Sequence, residues 1–367
     1  MKKLDNLKIA IVCDWLVGIG GAERVVLEVH RMFPDAPIYT SQYNPKAVDW
    51  FKNADVRTGW LQKLPSGLKK FLPVLRAWYF SHLDLSEYDL VITVNFGAEA
   101  KAVKTEPDTV HVCYCNAPTH YYWSRFEQYL REPGFGRLDP LARLGLKLLV
   151  GPMRRWDYKA AQKPDYMIAN STHIRAEIQK YYHRDSTVIH PPVDVERFKL
   201  GTDRRGLVAA GRQTPYKKID LAVAACTSLN LPLTVIGDGP DHAKLLRIAG
   251  PSVTFVTNAS DQDVAAHLQK AEAFIFPNLD DFGITPVEAM AAGTPVIAYK
   301  AGGALDTVVP GKTGEFFDEQ SPASLERALR SFDSSKYSHG DIKKHAQKFS
   351  RQNFRKNLSS YISSVLK

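Results

Sequence analysis

Asp280 and Glu288 stand eight positions apart with Gly283 and Pro286 between them, and an apolar run of strand length, 273–276, comes just before. The pattern predicts a strand, an acidic loop, a helix starting near Thr285, and a second strand at 296–299. Carboxylates at such a junction accept hydrogen bonds from hydroxyls. The helix start beside them binds anions, because its unpaired N–H groups and the helix dipole both favour negative charge. Pro286 suits the first helical turn, Thr285 has a capping hydroxyl, and Gly283 lets a ligand approach the backbone closely. Acids that only complemented the dipole would contribute about 0.3–1 kcal/mol each. That is too little to explain the whole arrangement of glycine, proline and acid.

Three further clusters have the residue types to meet an anionic ligand. Gly211, Arg212 and Lys217 (GRQTPYKK) follow an apolar run, where a planar guanidinium and a compact ammonium suit a departing diphosphate. Lys218 reads as solvated surface charge. Gly237, Asp238 and Gly239 (IGDGP) form a tight turn after another apolar run, either a plain turn or a ligand contact. Gly18, Gly20 and Gly21, with Glu23 and Arg24, open a helix near the N-terminus and read as a substrate-contacting loop or a structural turn. Their GxGG spacing is not the GxGxxG of dinucleotide sites, which disfavours a nicotinamide enzyme.

Loops of this kind need strands that end together. Apolar runs at 7–14, 90–94, 111–115 and 166–169 alternate with helical patterns at 22–32 and from the capping residues Asn170 and Ser171 to about 182. A second series runs from Gly206 through 233–236, 253–256, 273–276 and 296–298, with helices at 219–229, 241–249, 261–271 and 285–292. Strand–helix alternation is the signature of parallel α/β sheets. The expected architecture is α/β with two doubly wound domains. The first spans 1–190 and carries an irregular helical insertion at 120–160. A linker, opened by Pro191 and Pro192, covers 191–205; the second domain spans 206–340, and 341–367 holds a helix crossing back.

DDFGITPVEAMAAGTPVIA followed by GG, the GR-x4-K segment, the GGAERV loop and PPVD at 191–194 together resemble the large retaining family-4 glycosyltransferases of the GT-B fold. More narrowly, GGAERVVLEVHRMFPDAPIYT and CYCNAP…YYW make the chain similar to bacterial mannosyltransferases of lipid-linked glycan and O-antigen assembly. The resemblance implies two Rossmann-like domains facing across a cleft, the C-terminal helices returning to the first. It implies retaining transfer of a sugar, mannose from GDP-mannose, by front-face attack. Glu288 would bind the donor ribose hydroxyls. Asp280, one methylene shorter than the family's glutamate, would contact the transferred sugar, with Asp281 as an alternative. The amides of Phe282, Gly283, Ile284 and Thr285 would face sugar and phosphates, and Arg212 and Lys217 would hold the diphosphate. Gly20, Gly21, Gly211, Gly237 and Asp238 complete the expected donor contacts. Asn116 stands where related mannosyltransferases carry a histidine, and His120 follows four residues on. No cofactor is implied, no DxD-type chelating site is present, and metal-independent transfer is expected. A UDP-sugar-dependent GT-B transferase or epimerase is the alternative enzyme. A nucleotide-sugar-binding protein without turnover is the alternative of another class.

Composition fits a globular protein of two domains: 367 residues, 44% hydrophobic and 24% charged. No uncharged apolar run reaches spanning length, and since the segment 1–7 leads straight into a strand, no signal peptide is expected. Cys13, Cys113, Cys115 and Cys226 are expected to be reduced and buried, with no zinc site. The net charge of +9 resides in two stretches. Five basic residues and no acid fall within 57–76, and nine basic against four acidic fall within 125–163. Within 57–80, Leu64, Leu68, Phe71, Leu72, Leu75, Trp78 and Tyr79 recur at helical spacing, with Lys63, Lys69, Lys70 and Arg76 opposite. Within 137–160, leucines accompany Arg143, Lys147, Arg154 and Arg155. Two basic amphipathic helices are either core-packed or membrane-facing. The expected partners are a nucleotide-sugar donor, a lipid-linked glycan acceptor and an anionic membrane surface. No nucleic-acid fold signature accompanies the charge. The expected location is cytoplasmic, peripheral at the inner face of the cytoplasmic membrane.

Overall fold

The computed structural model describes residues 7–64, 73–131 and 136–366. Leu68, Lys69, Lys70, Phe71 and Leu72 of the first amphipathic pattern, and the 1–6 part of the segment read for a signal peptide, lie outside the described residues. Contacts divide the chain into two units. One comprises the described residues up to His190 together with those from Arg355 onward, and the other is Pro191–Phe354.

In the first unit the order is β1 (Ile9–Cys13), α1 (Gly21–Met32), β2 (Ile38–Thr40), β3 (Val56–Thr58), α2 (Pro73–His82), β4 (Leu90–Asn95), β5 (Val110–Cys115), α3 (Phe126–Arg131), α4 (Asp139–Ala161), β6 (Tyr166–Ala169), α5 (Thr172–Tyr182) and β7 (Thr187–Val188). These strands pair in parallel in the order β3-β2-β1-β4-β5-β6-β7. Every residue of β1 and β4 is buried, as expected of strands covered on both faces. Ser171 caps α5, its side chain accepting from the Ile174 amide at 3.1 Å.

The second unit runs β8 (Leu207–Ala210), α6 (Ile219–Leu229), β9 (Leu233–Ile236), α7 (His242–Ile248), β10 (Val253–Val256), α8 (Asp261–Lys270), β11 (Ala273–Phe276), α9 (Ile284–Ala291), β12 (Val296–Tyr299), α10 (Ala304–Thr307), β13 (Gly314–Phe317), α11 (Pro322–Ser331), α12 (His339–Ala346) and α13 (Arg351–Val365). Its sheet is parallel in the order β10-β9-β8-β11-β12-β13. The last helix, α13, begins in this unit and continues into the first, where Arg355 reaches the buried Glu28 of α1 at 3.4 Å.

Several expectations are corrected. The stretch read as a linker is packed structure: Val193, Val195 and Phe198 are buried in the second unit's core, and Val193 bridges to Ser350. Residues 341–354 stay with the second unit, since Ile342, Ala346 and Phe349 join the same core. The first basic stretch begins on the short strand β3, where Arg57 pairs with Asp55 and Tyr39. Arg76 does not belong to a solvated basic face. It is buried, donates to Glu99 Oε2 at 2.8 Å and lies 4.7 Å from the Trp15 ring centroid. The four cysteines are free and buried.

Asp14, directly after β1, is buried and accepts from the amides of Phe96 and Ala100, each at 2.6 Å, so it ties the ends of β1 and β4 together. Burial pushes its carboxyl up to about 6, with Glu99 adding to the push and the two amides opposing it. A carboxyl raised on folding stabilises fully below its unfolded value of about 4, and that contribution is lost as pH rises through the folded value. The unfolding midpoint of wild type relative to Asp14→Asn should therefore fall between about pH 4 and 6, equivalent to roughly 3 kcal/mol at most, and then level off. A difference that rises over this window would mean that the amides outweigh burial.

Candidate functional site

β8 is the first strand of the second unit and sits inside its sheet, so the chain builds outward from it in both directions. The carboxyl ends of β9, β8 and β11 are therefore neighbours at a topological switch point, where open parallel sheets bind ligands. Three of the sequence clusters end on these strands. Gly211 follows β8, Gly237 follows β9, and Asp280 to Gly283 lie between β11 and α9.

Backbone packing holds the clusters together. The Gly211 amide donates to Ile236 O at 3.0 Å, the Gln213 amide to Asp238 O at 2.9 Å, and the Gln213 side chain to Gly237 O at 2.6 Å. Gly237 has φ +116, and a Cβ there would stand 2.3 Å from Gly211 O, so only glycine fits. Asp238 is exposed, and its carboxylate accepts from the amide of Gly239 in its own turn. The acidic loop is pinned from the other side, where the Gly303 amide donates to Asp280 O at 2.9 Å.

The charged side chains are paired within this frame. Lys217 Nζ donates to Asp280 Oδ2 at 2.6 Å, both side chains being about a fifth exposed. Asp280 Oδ1 accepts the Asp281 amide at 3.2 Å. Glu288 is buried on α9, and its Oε1 accepts from Arg197 Nη2 at 3.2 Å. Arg197 also donates to Asp261 at 2.7 Å and covers the Phe198 ring at 4.7 Å. Arg212 is exposed at the rim. The helix cap differs from expectation: Gly283 at φ +86 is the N-cap of α9, and Thr285 lies inside the helix. A residue without a side chain occupies the cap, so the first amides of α9 receive no side-chain oxygen from it. Phe282 turns its ring into the core against Phe349, leaving only its backbone for a ligand.

Arg197, which pairs with Glu288, and Arg204 are structural contacts of the candidate site that sequence reasoning missed, because both fall in the stretch read as linker. Arg204 donates to Ala271 O at 3.0 Å and to Ala292 O at 2.6 Å, fastening the end of α9. Their only sequence signal was a pair of arginines within a polar, aperiodic stretch.

Gly20, Gly21, Asn116 and His120 belong to the first unit. Gly20 is the N-cap of α1 and Gly21 its first residue, following the interior strand β1. Asn116 follows β5, and both its amide and its Nδ2 donate to Asn95 O at 3.0 Å. His120 is partly exposed, its Nδ1 2.9 Å from Ser124 Oγ. Among the described residues, no group of three or more His, Cys, Asp or Glu is placed to hold a metal ion.

Sequence profiles of two families match the chain: "Glycosyltransferase Family 4" over residues 19–197 and "Glycosyl transferases group 1" over 193–351. The chain is 29% identical to a D-inositol 3-phosphate glycosyltransferase of Streptomyces avermitilis, over 46% of this chain and 44% of that protein. It is 33% identical to a GDP-mannose-dependent alpha-(1-6)-phosphatidylinositol monomannoside mannosyltransferase of Mycolicibacterium smegmatis, over 34% and 37%. The alignments thus span less than half the length of these curated relatives. The fold is similar to that of Anabaena HepE in complex with UDP-glucose, with a TM-score of 0.68, 18% identity, and coverage of 98% of this chain and 100% of that one.

Gly302 offers a direct test of the pinned acidic loop. Its φ is +66, and a Cβ there would stand 2.4 Å from Asp280 O. Gly302→Ala should destabilise by about 1–3 kcal/mol, through backbone strain and displacement of the loop. Chemical denaturation measures it, and an unchanged midpoint would refute the packing argument.

Proposed function

We propose a reaction for a chain that belongs to the family-4, group 1 glycosyltransferases and has their GT-B fold class: transfer of mannose from GDP-mannose to a lipid-linked glycan, with retention of configuration. One observation carries the reading. The 2.6 Å contact of Lys217 with Asp280 puts a cation suited to a diphosphate beside a carboxylate suited to sugar hydroxyls, next to the start of α9. The donor diphosphate takes Lys217 from Asp280, which frees the carboxylate to orient the sugar. Glu288 receives the ribose hydroxyls. As the bond from the anomeric carbon to the diphosphate oxygen breaks, negative charge grows on that oxygen. Lys217, Arg212 and the α9 amides stabilise it. The acceptor hydroxyl bonds to the anomeric carbon on the same face and gives its proton to the departing phosphate. Two side-chain cations and the helix amides neutralise the leaving group, so the reaction proceeds without a metal. Mannose as the transferred sugar is supported by the GDP-mannose-dependent relative. A UDP-sugar is the second reading, supported by the fold's likeness to a UDP-glucose complex.

Purified protein is expected to release GDP from GDP-mannose in the presence of EDTA. Glu288→Ala and Lys217→Ala should each lower that rate at least a hundredfold while keeping the circular dichroism of wild type. Release of UDP from a UDP-sugar, and none of GDP, would move the assignment to the second reading.

The acceptor side is proposed to work at an anionic bilayer on the cytoplasmic side. Among the described residues no helix is long and apolar enough to cross a membrane. The first half of α4 nevertheless turns Leu141, Leu144, Leu148 and Leu149 to solvent, 49–67% exposed, with Arg143 and Lys147 on its other side. Val74, Leu75 and Trp78 are similarly exposed on α2. Apolar faces flanked by basic residues lie in bilayer interfaces, where each basic residue adds about 1 kcal/mol. The protein should float with phosphatidylglycerol-containing vesicles at low salt, and Leu144→Ser/Leu148→Ser should weaken flotation at least fivefold. Wild type that stays with the soluble fraction would rule out docking.

A further inference from the structure

One fully buried ion pair in the first unit belongs to none of the residues assigned above. Lys101 and Asp157 form an ion pair at 2.6 Å with both side chains 0% exposed. Burial works against the Lys101 ammonium, and the adjacent Asp157 outweighs it, so the group is held above its ordinary value. Asp157 is saturated with donors. Oδ1 accepts from Lys101 and from Thr119 Oγ1 at 3.1 Å, and Oδ2 accepts from Trp123 Nε1 at 2.7 Å and Tyr182 OH at 2.8 Å. Two of these four donors sit on the loop after β5 that carries Asn116 and His120. The same loop is gripped twice more from inside: Tyr121 OH donates to Glu99 Oε1 at 2.9 Å, and Arg154 Nε donates to Tyr122 O at 2.5 Å. Ala77 of α2, Tyr122 and Met153 of α4 pack into one small core beneath it. With residues 119, 121, 122 and 123 anchored inward, His120 and Ser124 are left pointing outward, bonded to each other.

We infer that Asp157 is a positioning residue for the acceptor: its carboxylate sets the conformation of residues 119–123, and through them the presentation of His120 at the carboxyl edge of β5. A buried ion pair is weak evidence for stability, and its best-attested use is to specify one arrangement among several. Here the arrangement specified is a loop at the sheet edge where ligands bind. The helix that supplies Asp157 is α4, whose first half bears the exposed leucines, so the element proposed to meet the bilayer also holds the acceptor loop. This inference rests on the sugar-transfer reading.

The test removes the loop's two donors and leaves the ion pair intact. Thr119→Val is isosteric, Trp123→Phe removes the indole N–H while keeping an aromatic ring against Tyr181, and Asp157 is left with Lys101 and Tyr182. With GDP-mannose as donor and octyl mannoside as acceptor probe, the KM for octyl mannoside should rise at least tenfold. The KM for donor and the rate of GDP release without acceptor should stay within twofold. Thr119→Ser with Trp123 unchanged, which keeps a hydroxyl and the indole N–H as donors, should hold the acceptor KM within twofold of wild type. Hydrogen exchange reads the same role without any acceptor, as faster exchange of the 119–125 amides by at least tenfold in the double variant and unchanged exchange in the second unit. Donor and acceptor constants that move together, or amide exchange that does not change, would overturn the positioning role alone. A wild type inert toward every sugar nucleotide would overturn the transfer reading, and this inference with it.

Discussion

A strand that pairs only with parallel neighbours has to be re-entered from the same end each time, so every connection becomes a crossover. Polar turns then gather along one edge of the sheet. Both sheets obey this constraint across their full width. Their interior strands, buried and hydrophobic, leave the carboxyl edge as the place where glycine turns, helix starts and charged side chains accumulate. In the second unit the switch point between β8 and β11 brings three loops, far apart in sequence, within hydrogen-bonding distance of one another. In the first unit the ends of β1, β4 and β5 do the same through Asp14 and Asn116.

The electrostatics of the two edges differ for a reason that follows from burial. Lys217–Asp280 and Arg197–Glu288 keep some solvent exposure on at least one partner. Pairs with solvent access are separated at less cost than fully buried ones. Lys101–Asp157 and Arg76–Glu99 are buried. Separating them would strand a charge in low dielectric, which makes them fixtures of the fold and not ligand contacts. The same residue types thus form separable pairs at one edge and buried scaffolding behind the other.

Much of this was legible in local pattern. The runs at 233–236, 253–256 and 273–276 are the observed strands, and 219–229 is the observed helix, because a continuous apolar run or a 3.6-residue period is a property of neighbouring residues. β2, β3, β7 and β13 were not legible. They are two to four residues long, contain polar residues or glycine, and exist only because a neighbouring strand offers a pairing edge. Arg76 shows the same limit for side chains. Its helical spacing assigned it to a basic face, but its partner Glu99 lies twenty-three residues away, and α2 turns it inward.

The sequence by itself determined the α/β class, the two series of strands, the glycine turns and the family likeness borne by the 280–298 stretch, because each rests on residue order and local spacing. It also singled out Asp280, Glu288, Arg212 and Lys217. Tertiary structure alone decided how those charges pair in the free protein, that Gly283 and not Thr285 caps α9, and that 193–198 belongs to a core. It alone revealed that Asp157 holds the loop of Asn116 and His120. Each of these depends on contacts between residues distant in the chain. The free energy of such a contact depends on burial and geometry, which no local pattern encodes.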